Sequence, residues 1–386
     1  MKKYDIAAYI WPAYTGDEPR TRMFWPEGIG EWQSVKNVSD TMPFKPEGYV
    51  WDRKPLWGYV NEADPYVMEM QIEAAVDHGV NVFIYDWYWY DNRPFLENCL
   101  NDGFLKAKNH NKMKFYIMWA NHDANTLWDR RISDQETTIW EGKVTREQFY
   151  VIGKRWIDQY FALDCYYKID GKPVVSIYDV ANFINGLGGV DEAKAALQWL
   201  REEAVRAGLP GVHIQMVKWG EQQLNLSGVD GSTMQLKQLE ALHVLGFDSC
   251  THYQYAHFAD IDRDYEDIFT DVQKEWEQVQ ENAQVPYYPH VSIGWDNNPR
   301  FFEFRPGVTK NNTPQQVQKA FEAAKAFSDQ YNALPLITVN SWNEWTETSY
   351  LEPDTLYGYG YLEAIRNVFL QKPWVNADEN VYSYVE

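Results

Sequence analysis

Short apolar runs and longer amphipathic stretches alternate along the chain. The runs are rich in β-branched and aromatic residues and fall at 5–11, 80–87, 114–121, 173–180, 212–219, 248–253, 288–295 and 336–342. Their length and composition predict strands. Their near-continuous apolarity (VNVFIYDW, KFYIMWAN, LITVNSW) predicts strands covered on both faces, as in a parallel sheet. Between them, apolar positions at helical spacing predict helices near 64–78, 93–110, 145–160, 191–207, 233–245, 264–284, 314–330 and 358–371. Asp64-Pro65 and Thr313-Pro314 put proline at a first helical position, and Gly79 and Gly208 follow two helices as stop signals.

Eight strand-then-helix units predict an α/β chain folded as a (β/α)8 barrel, read as a single catalytic domain over 1–386. An open doubly wound sheet would usually use fewer strands and a glycine-rich first turn, which this sequence lacks. The returns from helix to strand are short, as at 78–80 and 109–113, whereas residues 12–63, 122–144 and 220–232 form long segments after strands. Long loops in a compact domain are usually functional, and all of these would leave the barrel on the face where active sites of this fold sit. The insertions at about 12–63 and 122–144 are therefore expected to wall a deep cleft.

Composition narrows the chemistry. Lys and Arg number 35 against 56 Asp and Glu, a formal charge of −21, which argues against nucleic-acid or anionic-membrane partners. No stretch reaches the ~20 apolar residues of a membrane span. Cys99, Cys165 and Cys250 are odd in number and far apart, so neither a disulfide framework nor a zinc site is expected. Met1-Lys2-Lys3 is followed at once by Asp5 and by no apolar signal segment, so a cytoplasmic location is expected, or a periplasmic or secreted one if a signal was removed. The aromatic content is 16%, with 18 Trp and 27 Tyr. Many must fill the core, but such an excess also suits a carbohydrate site, where rings stack on sugar C–H faces.

The predicted strand ends are polar and aromatic: Tyr9 and Trp11; Asp86 and Trp87; Trp119, Asn121 and His122; Lys218 and Trp219; His252 and Tyr253; Trp295 and Asp296. On a barrel these would meet at one mouth and serve as substrate-binding groups. The densest cluster follows the last strand and contains Asn343, Glu344, Glu347, Tyr350 and Glu352. Glu344 and Glu347 are three apart, so a tight turn sets both on one side. Two close carboxylates among aromatic rings invite one to stay protonated and the other ionised, which is what glycoside hydrolysis needs. Glu352 reads equally as a structural carboxylate. HExxH, CxxC, Walker A, GxGxxG and GxSxG patterns are absent, leaving only Asp86, His122 and His252 as a conceivable mononuclear metal set; no cofactor or metal is expected.

NEWTETSYLEPDTLYGYGYLEAIR (343–366) closely resembles the C-terminal signature of the glycoside hydrolase family 99-like proteins, also called the WbsX family. GIGEWQSVKNV (28–38), FYIMWANH (115–122), KIDGKPVVSIY (168–178) and GWDNNPR (294–300), which brings Arg300 into the candidate site, agree in order. The resemblance implies a (β/α)8 barrel and a retaining hydrolase of α-linked sugars, with α-mannosides in view, that needs no metal. It implies that Glu344 assists the sugar 2-hydroxyl as it attacks C1, giving a 1,2-anhydro sugar, and that Glu347 protonates the leaving oxygen and then activates water. The chain has Thr346-Glu347-Thr348 where family 99 has His-Glu-Gly, and His122 where many WbsX-like relatives have an acidic residue. The WbsX label itself points to a glycosyltransferase of surface-polysaccharide synthesis; that, and a non-catalytic carbohydrate-binding barrel, are the competing readings.

Overall fold

A computed structural model describes residues 3–16, 18–38, 45–129, 136–220, 223–227 and 233–370. Eight parallel strands carry the fold: β1 (Asp5–Ile10), β2 (Val82–Tyr90), β3 (Lys114–Trp119), β4 (Lys172–Ile177), β5 (His213–Val217), β6 (Ser249–Thr251), β7 (His290–Ser292) and β8 (Leu336–Asn340). Their order is β6-β5-β4-β3-β2-β1-β8-β7. The ring is closed between β6 and β7 by a single parallel bridge from Cys250 to Tyr287, with Cys250 N donating to Pro286 O at 3.0 Å and Tyr288 N to Cys250 O at 2.9 Å. The sheet is thus the predicted barrel.

The helices that cover it are α1 (Pro65–Asp77), α2 (Arg146–Trp156), α3 (Val180–Leu187), α4 (Val190–Arg206), α5 (Gln238–Leu245), α6 (Tyr265–Asn282), α7 (Pro314–Tyr331) and α8 (Gly360–Phe369). Their starts follow the sequence signals. Asp64 accepts from Tyr66 N at 2.9 Å with Pro65 in the first turn, and Thr145 and Gln148 cap each other's backbone amides.

Two predicted helices differ. Instead of a helix over 93–110, Arg93–Phe95 returns antiparallel along the end of β2, and the chain then makes only single turns at Cys99–Gly103 and Phe104–Lys106. Pro94 and the asparagines of this stretch disfavour a long helix, and a Cβ on Gly103 would lie 2.0 Å from Glu62 O, so the backbones meet there. In 233–245, Thr233–Lys237 pairs with Gln223–Ser227 as a hairpin and the helix begins only at Gln238. The alternation Met234, Gln235, Leu236 is a strand period. Residue 371 of the last predicted helix, and residues 17, 39–44, 130–135, 221–222 and 228–232 of the three long segments, lie outside the described residues.

Inside the barrel, polar side chains satisfy one another: Tyr116 donates to Gln215 Oε1 at 3.1 Å, and Thr251 and Thr338 hydroxyls lie 2.7 Å apart with His290 Nδ1 2.9 Å from Thr338. Hydrogen bonds buried in this way rigidify the layer, because any break strands a buried group. It is the floor on which the strand ends stand.

Candidate active site

The loop after β8 is built as a miniature hairpin. Asn343–Glu344 pairs antiparallel with Ser349–Tyr350, and one tight helical turn, Trp345–Glu347, bulges between them. Trp345 fixes it: its ring stacks on Tyr350 at 3.8 Å, and its Nε1 donates to Glu352 Oε2 at 2.6 Å. Asn343 ties it to β1, accepting from Trp11 N at 2.8 Å and donating to Trp11 O at 2.9 Å. With both ends pinned, Glu344 and Glu347 are left to point into a cavity of about 310 Å³ in the barrel mouth.

Arg300, on the turn Asn298–Arg300 after β7, holds both carboxylates. Its Nη2 lies 2.8 Å from Glu344 Oε1 and its Nη1 2.7 Å from Glu347 Oε1. Its Nε donates to Glu31 Oε1 at 2.9 Å. Glu31, itself fully buried, also accepts from the Trp11 indole. One guanidinium therefore joins three carboxylates from two distant loops. Glu31 reaches it because Gly30 sits at φ +60° with its Cα against Ala13, where a Cβ would lie 1.8 Å from the Ala13 carbonyl oxygen.

Burial raises Glu344 well above the ordinary carboxylate range; the Glu347 charge adds to this and Arg300 opposes it. Burial also raises Glu347, again against Arg300, with Glu31 adding to the rise. The pair is thus poised to keep a proton at a pH where exposed carboxylates have lost theirs. Facing it is Asp86, raised by burial: Tyr253 donates to its Oδ2 at 2.9 Å, while its Oδ1 is buried without a partner. Burial depresses His122, and pushes His257 down to about 3, so both rings stay neutral near neutrality.

Of the predicted site residues, Trp11, Asp86, His122, Trp219, Tyr253, Arg300, Glu344 and Glu347 line the cavity together. Tyr9 lies just beneath, its ring 4.7 Å from Tyr253. The others do not reach it. Trp87 donates to Glu97 at 2.7 Å and packs on Trp156, and Trp119 packs on Phe149 and Trp156; both face the helices. Lys218 is buried against Glu275 at 2.5 Å, and His252 lies against the Tyr287 hydroxyl at 2.8 Å, on the same outer side. His252 is thereby separated from Asp86 and His122; among the described residues no group of three His, Cys, Asp or Glu side chains could hold a metal ion.

The remaining predicted residues brace the loops. Asn121 donates to Asp179 O at 2.6 Å, linking the ends of β3 and β4. Asp296 accepts from Tyr49 and from Asn298, and its backbone N donates to Glu347 O at 2.8 Å. Trp295 is half-buried outside the cavity, with its carbonyl accepting from Thr309 N. Asn343, Tyr350 and Glu352 hold the loop after β8 from behind. Glu352 accepts from Gln71 at 2.7 Å as well as from Trp345.

The cavity also contains Tyr88, Met118, Trp128 and Tyr178, which the sequence reading did not select. Strand periodicity could have found the first two. Side chains alternate along a strand, so Asp86 selects Tyr88 rather than Trp87, and His122 selects Met118 rather than Trp119. Glu31 lay within a family-like segment but carried no local sign of its role.

A family model described as glycosyltransferase WbsX matches residues 6–365. The chain belongs to the WbsX family. Two proteins called uncharacterized protein WxcX, from two strains of Xanthomonas campestris pv. campestris, are 25% identical over 377 and 372 residues. Each match covers 92% of this chain and 48% of the relative, so this member of the WbsX family spans about half the length of the curated relatives it matches. Among solved structures, a GH99 endo-α-mannosidase from Bacteroides thetaiotaomicron superposes with a TM-score of 0.57 at 14% identity, over 95% of this chain and 96% of that one. A glycoside hydrolase-like protein gives 0.58 at 13% identity, over 96% and 94%. At these identities the likeness establishes a shared barrel. The family resemblance read from 343–366 and the predicted fold are both borne out.

Proposed function

We propose that this WbsX-family barrel is a retaining glycoside hydrolase acting on α-linked sugars of a glycan or polysaccharide, α-mannosides among them. The observation that carries the reading is the placement of Glu344 and Glu347 on one loop, both held by Arg300 and facing an aromatic-lined cavity. Carboxylates on the same loop cannot easily flank a scissile bond from opposite sides, as a double displacement requires. They suit one sugar's 2-hydroxyl and its glycosidic oxygen. In this mechanism Glu344 takes the proton of the 2-hydroxyl as that oxygen attacks C1 and the glycosidic bond breaks. Glu347 gives its proton to the leaving oxygen. Water activated by Glu347 then opens the 1,2-anhydro sugar at C1, and the 2-oxygen recovers a proton from Glu344. Holding the nucleophile beside C1 is worth several orders of magnitude in rate.

The family description favours a nucleotide-sugar transferase as the second reading. The charge around the cavity weighs against it. Asp86, Asp123, Glu136, Glu344 and Glu347 line the site, and Arg300, the one Lys or Arg among its described lining residues, is already engaged by carboxylates. A diphosphate would enter an acidic pocket with no unclaimed cation among its described lining residues. Incubation of the protein with α-linked glycans and no nucleotide sugar separates the two: a hydrolase releases reducing sugar, a transferase does not. Activity that appears only with a nucleotide sugar would overturn the proposal.

A further inference from the structure

A second groove, of about 640 Å³, lies beside the catalytic cavity at the ends of β2, β3 and β4. The two sites share a wall. The hairpin that pairs Ala124–Asn125 with Thr138–Trp140 turns Asn125 toward the cavity and Ile139 and Trp140 toward the groove. Trp89 is also in the groove lining, and its indole N–H is buried with no partner. A buried donor left unpaired is costly and in a native structure asks for an explanation. Around it stand aromatic surface and amides. Trp140 is half-buried, with Tyr90 stacked on it at 5.7 Å. Asn182, on α3, donates its Nδ2 to Asn121 O at 3.0 Å, which leaves its Oδ1 for another donor. Asn92 accepts from Gln148 Nε2 and retains its own amino group.

The groove's charges are paired at the rim: Lys143 with Glu141 at 3.1 Å, and Asp91 with Arg93 at 2.9 Å. Among the described lining residues an anionic ligand would find no unpaired cation. A purely apolar ligand would leave the amides and the Trp89 N–H unanswered. Ring faces interleaved with neutral donors and acceptors fit a neutral saccharide, and the volume falls within the ~300–1,000 Å³ range of small-ligand sites.

We infer that this groove is a second glycan-binding site, which holds neutral sugar units of the same chain whose scissile unit lies in the cavity across the hairpin. The inference rests on the glycan-processing reading and adds to it a polymeric or oligomeric substrate, bound over two adjacent sites. Binding energy from such remote units can be used at the reacting centre.

The test uses the full chain with neutral α-linked manno- and gluco-oligosaccharides of two and of six units, with oligogalacturonate as the anionic control. Binding is followed by tryptophan fluorescence and saturation-transfer NMR. Hexasaccharide should bind Trp140→Ala about tenfold more weakly than wild type, which corresponds to losing one stacking anchor. Disaccharide binding in the cavity should be unchanged. Asn92→Gly, which suits the left-handed backbone at φ +59°, should weaken hexasaccharide binding severalfold without unfolding. Glu347→Gln should retain the advantage of six units over two. Equal hexasaccharide affinity in wild type, Trp140→Ala and Asn92→Gly would overturn the second site while leaving the cavity reading intact. Failure of every neutral glycan to bind wild type, or tighter binding of oligogalacturonate, would overturn it as well; the former would also remove the glycan reading.

Discussion

Replacing Arg300 with methionine removes the cation shared by Glu31, Glu344 and Glu347 while keeping an unbranched stem of similar bulk. The guanidinium lies within 2.9 Å of all three carboxylates, and its side chain is only 12% exposed. Removing one partner from a buried ion pair costs about 3–5 kcal/mol, because the charges left behind are desolvated and uncompensated. Unfolding entropy of roughly 2 cal/mol/K per residue gives about 0.8 kcal/mol/K for a chain of this size, so the Tm should fall by about 4–6 °C. The loss should depend on pH. Glu344 and Glu347 already have folded-state values raised above 4.5 by burial, and Arg300 is the group that opposes the rise. Without it both rise further, so the folded state binds more protons than the unfolded state and stability falls as pH climbs above about 4.5. Thermal unfolding of wild type and Arg300→Met from pH 5 to pH 8 reads this directly. A small deficit at pH 5 that grows toward pH 8 is expected. A deficit independent of pH, or larger at pH 5, would refute the assignment of Arg300 as the counter-charge to this pair.

Glu344→Gln and Glu347→Gln should each lower kcat at least roughly a hundredfold with little change in Tm, since a general acid or base contributes 10²–10⁴. Because the Glu31 charge raises both Glu344 and Glu347, Glu31→Gln should move the acid limb of the kcat/KM profile to lower pH; a profile that only shrinks in height would contradict this. Trp219→Ala, at the cavity wall, should weaken sugar binding severalfold, whereas Trp295→Ala should not; equal effects would deny that the cavity is the sugar site. Behind the loop, burial raises Glu62 to about 7 against hydrogen bonds from Asn343, Gln71 and Cys99. Ionising it therefore costs about 3 kcal/mol at 1.36 kcal/mol per unit, and wild-type stability should decline between about pH 4.5 and pH 7. Glu62→Gln should flatten that decline, which urea unfolding at pH 5 and pH 8 measures.

Much of this was legible in the sequence because the barrel strands are covered on both faces and so announce themselves as apolar runs. The helix starts at Asp64-Pro65 and Thr313-Pro314 are local chemistry and were equally readable. Glu344 and Glu347 stood out because they share one short turn. What escaped was of two kinds. Trp87, Trp119, Lys218 and His252 end strands but turn toward the helices, a matter of register that Asp86 and His122 could have set. Glu31 and Trp128 enter the site from long insertions, and their partners, Arg300 for one and Trp11 for the other, are 269 and 117 positions away. Contacts of that range are decided by packing and leave no periodic trace. The glutamine and asparagine braces around Glu62 and Glu352 were invisible for the same reason.

In the proposed reaction Glu344 and Glu347 cleave an α-linked glycan with retention through the neighbouring 2-hydroxyl. Time-resolved proton NMR of such a glycan, incubated with the protein alone, tests it most directly, run beside the same glycan methylated at O2 of the scissile unit. The α-anomer of the new reducing end should appear first, and the O2-methylated glycan should stay intact. First appearance of the β-anomer, or cleavage of the O2-methylated glycan at a comparable rate, would contradict the proposed reaction.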